Sequence, residues 1–342
     1  MKYRIIVRTL NILQETRRHL FKNKLALWSG THQYLGSKLK KRFIIVREAT
    51  REKSLYRLRD YADFIFFENA KVWAPSKLKY PYAMYGDFVG KPYFREKIPW
   101  FDIGIASLHK ETESYKYATA IFTFSDYGRN SIIKDYGIDA RKVFTVGAGP
   151  NLNRLPVIPK KQFDGKTILF IGRDIKRKGG HVLLEAFRTV KRRIPDARLV
   201  MVCSELEAYA QGRNLKDLGI IIYKCASKQL LGCLYRRASV FVMPSLYEPF
   251  GIVFLEAMAY KLPCIGANKC AMPEIISHGK SGFLVRPNDA HGLAQKIIYL
   301  LQHKEIARAM GEAGRAKVEQ YYRWDLVVRR IEEHMHMVLS KR

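Results

Sequence analysis

The sequence predicts an α/β protein of two domains, each built on a parallel β-sheet with helices on both faces. The chain has 342 residues, 48% of them hydrophobic, which is enough for two ordinary domains with cores of their own. Short apolar runs alternate with amphipathic segments of helical spacing, the pattern of parallel strands buried on both faces. A stretch rich in Gly and Pro at 147–166 separates the two halves and suits an interdomain connection.

The N-terminal half follows this pattern less regularly than the other half. A helix is predicted at 126–137, where Gly137 would end it. We assign residues 1–150 to this first domain. The predicted strands are residues 42–48, 63–69, 80–86, 120–125 and 142–147.

The C-terminal half alternates clearly, and we assign residues 151–325 to a second domain. Residues 326–342 belong to a long predicted helix, 321–342, that we expect to cross back to the first domain. The predicted strands are residues 166–172, 197–204, 218–225, 240–245 and 262–267. The predicted helices are residues 180–195, 227–239 and a segment that starts at about Gly251.

Several features of the chain indicate a cytosolic location. No window offers the 18 uninterrupted apolar residues of a membrane span, and charges interrupt the first 24 residues too often for a secretory signal. The five cysteines form no CxxC pair and no metal-ligand cluster, so we expect buried free thiols in a reducing compartment.

The net charge of +30 is unusually high, and residues 1–60 carry 16 Lys and Arg against four Asp and Glu. A field of this size attracts polyanions such as anionic lipid, nucleic acid or phosphorylated substrates. Apolar side chains are interleaved with the charges of residues 1–60, so this segment could lie on an anionic, cytoplasmic membrane face. Nucleic acid is the less favoured partner, since the sequence has no zinc-finger, RRM or helix-turn-helix signature. A merely solvated basic surface is the third alternative.

Two glutamates, Glu248 and Glu256, interrupt the otherwise apolar stretch "SLYEPFGIVFLEAMAYKLPCIGA" at 245–267. Glu248 follows a predicted strand, and the next helix starts near Gly251, so both carboxylates should lie near the carboxyl edge of the sheet. A carboxylate accepts two hydrogen bonds from a vicinal diol, and a helix N-terminus binds anions. A nucleotide sugar has hydroxyls on both sides of its phosphates. Alternatively, Glu248 caps the helix and Glu256 pairs with an arginine.

A second candidate element is the basic loop "FIGRDIKRKGG" at 170–180. Arg173 and Lys178 follow a predicted strand, and glycines surround them. Arginine supplies a planar fork of donors and lysine a point charge, so this loop could hold a diphosphate. The alternative is an ordinary solvated basic loop.

Together, these motifs resemble the donor domain of glycosyltransferase family 4. The resemblance covers about residues 116–335 and depends on "GRDIKRKGG", "LLGCLYRRASVFVMPSLYEPFGIVFLEAMAYKLPCIGA" and "MPEIISHGKSGFLVRPND", with "YATAIFTFSDYGRNSIIKDYGIDARKVFTVGAG" before them. It implies the GT-B fold of two Rossmann-like domains, the first for the acceptor and the second for the donor. It also implies a retaining enzyme that moves a hexose-type sugar from a nucleoside diphosphate to a glycan or lipid-linked acceptor.

The resemblance also implies roles for particular residues. Glu248 would bind the donor sugar, Glu256 the ribose hydroxyls, and Arg173 and Lys178 the diphosphate. With two cations on the phosphates, we expect no metal and no cofactor besides the nucleotide-sugar co-substrate. The remaining donor-binding candidates are Gly172, the backbone of Phe250, Gly251 and Ile252, and, near the base, Tyr223 and Lys224.

The sequence departs from the family at two places. "KCAMPE" has Cys270 and Ala271 where members often have two glycines, which could reshape the sugar pocket. "YPYAMYGDF" has Asp87 where many members have a catalytic-site histidine, so Asp87 is the candidate replacement and His109 a second one, each with a structural alternative. The alternative function is therefore an inactive GT-B homologue that binds nucleic acid or an anionic membrane.

Overall fold

We describe the chain from a computed structural model. The residues that it describes are 44–46, 65–68, 82–87, 90–91, 105–159, 161, 163, 165–204 and 218–339. The chain divides into two compact units. The first unit comprises Met1–Asn153 with Arg323–Arg342, and the second unit comprises Arg154–Tyr322.

The first unit contains, in its described residues, a five-stranded parallel sheet with the order β1-β2-β3-β4-β5. Its strands are β1 (Ile44–Val46), β2 (Ile65–Glu68), β3 (Tyr82–Gly86), β4 (Ala120–Thr123) and β5 (Val143–Thr145). Its helices are α1 (Ile105–Tyr117), α2 (Asp126–Lys134), a short 3-10 helix (Ala140–Lys142) and, at the chain's end, α9 (Trp324–Leu339).

Helix α2 begins and ends for local reasons. The Ser125 hydroxyl accepts a hydrogen bond from the Gly128 amide at 3.1 Å, which satisfies one of the free N–H groups of the first turn. The helix ends at Lys134, three residues before the predicted end. Gly137 lies beyond it with φ +69°, a conformation that glycine adopts without steric cost.

Helix α9 packs on the first unit through specific contacts. Trp324 donates its indole N–H to the Pro150 carbonyl at 2.9 Å, and Arg330 donates to the Val146 carbonyl at 2.8 Å. The His334 ring stacks on Phe144 with 4.4 Å between ring centroids. The chain's last helix is therefore part of the unit that contains its first strands.

The second unit contains, among described residues, a six-stranded parallel sheet with the order β11-β10-β9-β6-β7-β8. Its strands are β6 (Thr167–Ile171), β7 (Arg198–Val202), β8 (Ile220–Tyr223), β9 (Val240–Met243), β10 (Cys264–Ala267) and β11 (Gly282–Val285). Its helices are α3 (Gly180–Arg193), α4 (Lys228–Arg237), α5 (Ile252–Ala259), α6 (Met272–Ile275), α7 (Ala290–Gln302) and α8 (Lys304–Tyr321).

This strand order places β6, the first strand of the second unit, between β7 and β9. The chain winds outward from β6 in one direction and then, from β9, in the other. A crevice forms where the winding reverses, and ligands of such sheets bind there, outside the carboxyl ends of the strands. The switch point between β6 and β9 is thus the expected ligand site of this unit.

The predicted class, an α/β protein with parallel sheets in two domains, is confirmed. Elements after 267, which are α6, β11, α7 and α8, were not among the predicted ones. The expectation of buried thiols is wrong for Cys225, which follows the edge strand β8, and for Cys233, which lies on the solvent-facing side of α4; both are exposed. Cys203 and Cys264 are buried.

Among the helices that the structure describes, none is long and apolar enough to cross a bilayer. The predicted membrane-binding segment, residues 1–60, lies outside the described residues except for β1. Its membrane contact stays a prediction.

Candidate functional site

Two loops of the second unit meet at the switch point of its sheet. The first follows β6 and carries Arg173 and Lys178. The second follows β9 and carries Glu248. The loops are joined by a backbone hydrogen bond, which the Leu246 amide donates to the Arg177 carbonyl at 2.8 Å. Because β6 and β9 are neighbours, segments about 70 residues apart in sequence come together at one edge.

The loop after β6 is a tight turn. The Asp174 carboxylate accepts from the Arg177 amide at 3.0 Å, and the Asp174 carbonyl accepts from the Lys178 amide at 2.9 Å. Gly179 follows with φ +69°, and a Cβ there would lie 2.0 Å from the Pro244 carbonyl oxygen. The turn therefore requires glycine at this position. Lys178 lies just before the first residue of α3, Gly180.

Gly172 allows the lysine to lie close to the end of β6. A Cβ on Gly172 would lie 2.8 Å from the Lys178 Cγ, so any side chain there would push the lysine away. Arg173, the next residue, is exposed. The structure thus brings Gly172 and Lys178 together and leaves Arg173 at the surface beside them.

Glu248 is buried, with 5% of its surface exposed, and it is held by two cations. The Lys178 ammonium contacts its carboxylate directly. The Arg177 guanidinium lies 4.0 Å from the same oxygen and also donates to the Tyr247 carbonyl at 3.2 Å. Gly251, not Glu248, is the N-cap of α5. The alternative in which Glu248 caps this helix is therefore wrong, since the carboxylate is paired with charges.

The start of α5 lies beside Glu248. Gly251 has φ +90°, and a Cβ there would lie 3.1 Å from the Glu248 Cγ, so glycine permits this close approach. Ile252 is the first helical residue, and the buried Phe250 packs edge-on against Tyr322 with 6.1 Å between ring centroids. The first N–H groups of a helix have no partners within it and attract anions.

Glu256 lies on α5 and is 7% exposed. Its carboxylate accepts a hydrogen bond of 2.8 Å from the Tyr235 hydroxyl of α4. Burial, reinforced by the negative charge of Glu256, raises the pKa of Tyr235 well above its ordinary value. The tyrosine is therefore a permanent donor to this carboxylate.

Tyr223 and Lys224 lie at the carboxyl end of β8, two strands from β6 at the sheet's edge. Tyr223 is half-buried and Lys224 exposed. They share the carboxyl side of the sheet with the two loops, and their predicted contact with the base stays a prediction.

The candidates of the first unit lie apart from these residues in sequence and are described within their own unit. Asp87 follows β3 at the carboxyl end of the sheet and is half-buried; His109 is exposed on α1. Glu111, two residues after His109 on α1, accepts hydrogen bonds from Tyr136 at 2.5 Å and from Tyr115 at 3.2 Å. Burial raises the pKa of Glu111, and hydrogen bonds from the two tyrosines oppose that rise.

Sequence reasoning missed two residues of the site. Arg177 was hidden within a run of basic residues, and Tyr235 resembled an ordinary core residue on the apolar side of a helix. No pattern in the sequence links Tyr235 to Glu256, because their contact depends on how α4 and α5 pack. Over the residues that the structure describes, no group of three or more His, Cys, Asp or Glu side chains could hold a metal ion.

Comparisons with known proteins identify the second unit. Residues 154–317 match the family described as glycosyl transferases group 1. O-antigen chain mannosyltransferase B of Escherichia coli is 27% identical over 284 residues, which cover 76% of this chain and 72% of that protein. N-acetyl-alpha-D-glucosaminyl L-malate synthase of Bacillus anthracis is 30% identical over 180 residues, covering 51% of this chain and 46% of that protein.

A solved structure is similar over more of the chain. Anabaena HepE in complex with UDP-glucose superposes with a TM-score of 0.70 at 17% identity, covering 83% of this chain and 81% of that chain. This likeness supports the fold. The sequence match, by contrast, spans about half the length of several relatives. The resemblance seen in the sequence is confirmed: residues 154–317 match the group 1 glycosyl transferases, and the chain has the GT-B fold.

Proposed function

We propose that this chain transfers a hexose-type sugar from a nucleoside diphosphate to a hydroxyl of a glycan or lipid-linked acceptor, with retention of configuration. The observation that carries the proposal is the pairing of Glu248 with Lys178 at the switch point, beside the N-terminus of α5. A nucleotide sugar needs both kinds of group at one place, cations for its diphosphate and a carboxylate for its sugar hydroxyls.

Donor binding would exchange the partners of this ion pair. The diphosphate takes Lys178, and the N–H groups at Gly251 and Ile252 face the same anion. Glu248 then accepts hydrogen bonds from the sugar hydroxyls, and Arg177 remains beside it as a counterion. Arg173, exposed at the end of β6, supplies a second cation to the phosphates.

The nucleoside would lie along the carboxyl edge of the sheet. Glu256 accepts from the ribose hydroxyls, because a carboxylate can receive two donors side by side. Tyr223 and Lys224 at the end of β8 flank the base. Two similar proteins support a nucleotide-sugar donor. One is named as a mannosyltransferase, and the other, HepE, was solved with UDP-glucose.

In the chemical step, the protein chiefly stabilises charge. Negative charge grows on the diphosphate as the bond to the sugar breaks, and Lys178, Arg173 and the start of α5 lie where they can stabilise it. The departing phosphate takes the acceptor proton on the same face of the sugar, which retains the configuration. Asp87 is our candidate for orienting the acceptor. Because two cations serve the phosphates, we propose that no metal is required.

The rival proposal is an inactive homologue that binds nucleic acid or an anionic membrane. The observation that favours it is the net charge of +30. The departures at Asp87 and Cys270 are consistent with it.

The test is a screen of sugar transfer and donor hydrolysis with UDP-, GDP- and ADP-sugars, with and without excess EDTA. We expect turnover of one donor class that persists in EDTA. Lys178→Ala should lower kcat by about 10²–10³ with a smaller effect on donor KM, because the negative charge of the leaving diphosphate grows toward the transition state. Lys176→Ala, which removes an exposed charge two residues away, is the matched control. Failure to bind or turn over any of these donors would favour the rival.

A further inference from the structure

Tyr235 and Glu256 form a buried pair whose members come from different helices. The tyrosine lies near the end of α4, the glutamate lies inside α5, and the hydroxyl oxygen is 2.8 Å from the carboxylate oxygen Oε2. Tyr235 is 1% exposed and Glu256 7% exposed. A hydrogen bond from a neutral hydroxyl fixes the orientation of a buried carboxylate.

Two ring contacts and a hydrogen bond to its backbone carbonyl hold Tyr235 in place. The Tyr260 ring stacks on it with 5.1 Å between centroids, and Phe241 packs at 6.2 Å. The Lys161 amine donates to the Tyr235 carbonyl at 2.7 Å and also to the Arg236 carbonyl, which closes the end of α4. The ring can therefore shift little, and its hydroxyl defines where one carboxylate oxygen of Glu256 lies.

We propose that Tyr235 is a positioning residue for nucleotide recognition, which orients the Glu256 carboxylate so that it discriminates a ribose diol from a deoxyribose. The inference depends on the proposed function, because it assigns the partner of the carboxylate that would bind the ribose. Tyr235 acts without touching the ligand. It acts by holding one oxygen of Glu256, so that the carboxylate cannot rotate away from the diol.

The mechanism predicts a selective effect. Without the hydroxyl, the carboxylate turns or recruits another donor, and its fit to two adjacent hydroxyls is lost. The affinity for a ligand that lacks those hydroxyls should not change, because it makes no hydrogen bonds to Glu256. A purely structural role of Tyr235 would instead weaken every nucleotide alike.

The experiment compares the wild-type chain with Tyr235→Phe, a change that removes one oxygen and leaves the ring packing in place. UDP, GDP and ADP are titrated calorimetrically, and the tightest binder is then compared with its 2′,3′-dideoxy form. We expect the wild type to favour the ribose form by at least about tenfold, as for loss of a charged hydrogen bond. In Tyr235→Phe, the preference should fall below about threefold, with affinity for the dideoxy form unchanged within about twofold.

Tyr260→Phe is the matched control. It removes a hydroxyl from the ring that stacks on Tyr235, so it perturbs the same cluster without touching the hydrogen bond to Glu256. The control should retain the wild-type preference for ribose. A preference lost equally in both variants would overturn the inference, since general loosening of the cluster would then explain the result.

The outcomes separate the inference from the proposed function. If the wild type binds none of the three nucleotides, both fall. If the wild type prefers ribose and Tyr235→Phe keeps that preference, the inference alone falls. Should Tyr235→Phe not fold, the double variant Tyr235→Phe/Glu256→Gln, which has no orphaned charge, is compared with Glu256→Gln. Equal ribose preference in these two supports the inference, and a further loss in the double variant overturns it.

Discussion

The surroundings of Glu248 and of Glu256 differ in kind, although the two glutamates are eight residues apart in sequence. Glu248 lies on a loop and is held by the charges of Lys178 and Arg177, which come from a loop after another strand. Glu256 lies inside α5 and is held by the neutral hydroxyl of Tyr235. The first carboxylate is held by a partner for which an anionic ligand competes, and the second by a partner that such a ligand leaves alone.

The difference has a physical consequence. Glu248 competes with a diphosphate for Lys178, because removing one partner of a partly buried ion pair leaves the charge of the other uncompensated. A diphosphate does not compete for a hydroxyl that donates to a buried carboxylate. This hydroxyl only fixes the orientation of the carboxylate. Substitutions at the two glutamates should therefore change affinity for a nucleoside diphosphate in opposite directions.

The largest expected effect is on the Glu256 side. Glu256→Gln leaves one acceptor oxygen where the ribose diol needs two, and the loss of a hydrogen bond to a charged group costs about 1.5–3 kcal/mol. Affinity for the matching nucleoside diphosphate should fall about 10- to 100-fold, as measured by calorimetric titration. Thermal unfolding serves as the control for the fold. Unchanged affinity in a stable variant would remove Glu256 from the ribose site.

The sequence was sufficient to predict much of the second unit. Its continuous apolar runs correspond to β6–β10, because strands covered on both faces contain few polar residues. It also placed Glu248 and Lys178 on loops that follow strands. It did not reveal that they touch, since the contact depends on β6 and β9 being neighbours and the residues are 70 positions apart.

Other parts of the molecule were beyond prediction for different reasons. Strand β11 was not predicted because its apolar run is only three residues long, 283–285, between Gly282 and Arg286. Tyr235 has no sequence signal as a partner of Glu256, because a tyrosine on the apolar side of α4 resembles any core residue. Arg177 lies between two lysines, and only the folded loop shows that it faces Glu248.

A second prediction concerns Lys161, which donates to the backbone carbonyls of Tyr235 and Arg236 at the end of α4. Burial, with a smaller contribution from the Arg236 charge, lowers the pKa of Lys161 from 10.5 to about 7. The unfolded chain binds this proton up to about pH 10.5, whereas the folded chain releases it near pH 7. Lys161 therefore makes the free energy of unfolding rise with pH across this window.

The measurement is urea unfolding of the wild type and Lys161→Met at pH 7, 8 and 9. The free energy of unfolding of the wild type, relative to that of Lys161→Met, should rise by up to about 1.4 kcal/mol per pH unit. Tyrosines and other groups that titrate in both proteins cancel in the difference. Parallel curves would show that Lys161 titrates as an ordinary lysine and that the support of α4 is independent of pH.

The smallest expected effect gives the sharpest contrast with Glu256. Glu248→Gln removes the carboxylate that competes for Lys178, so a nucleoside diphosphate without a sugar should bind more tightly than to the wild type. A typical net contribution of one hydrogen bond is about 1 kcal/mol, which corresponds to about fivefold in affinity. The same variant should turn over the complete donor more slowly, because the sugar loses its acceptor. Calorimetry with the diphosphate alone measures the first effect, and steady-state kinetics with the sugar donor the second. If the diphosphate binds Glu248→Gln more weakly, as expected for Glu256→Gln, the two carboxylates act alike and the contrast between their surroundings has no functional meaning.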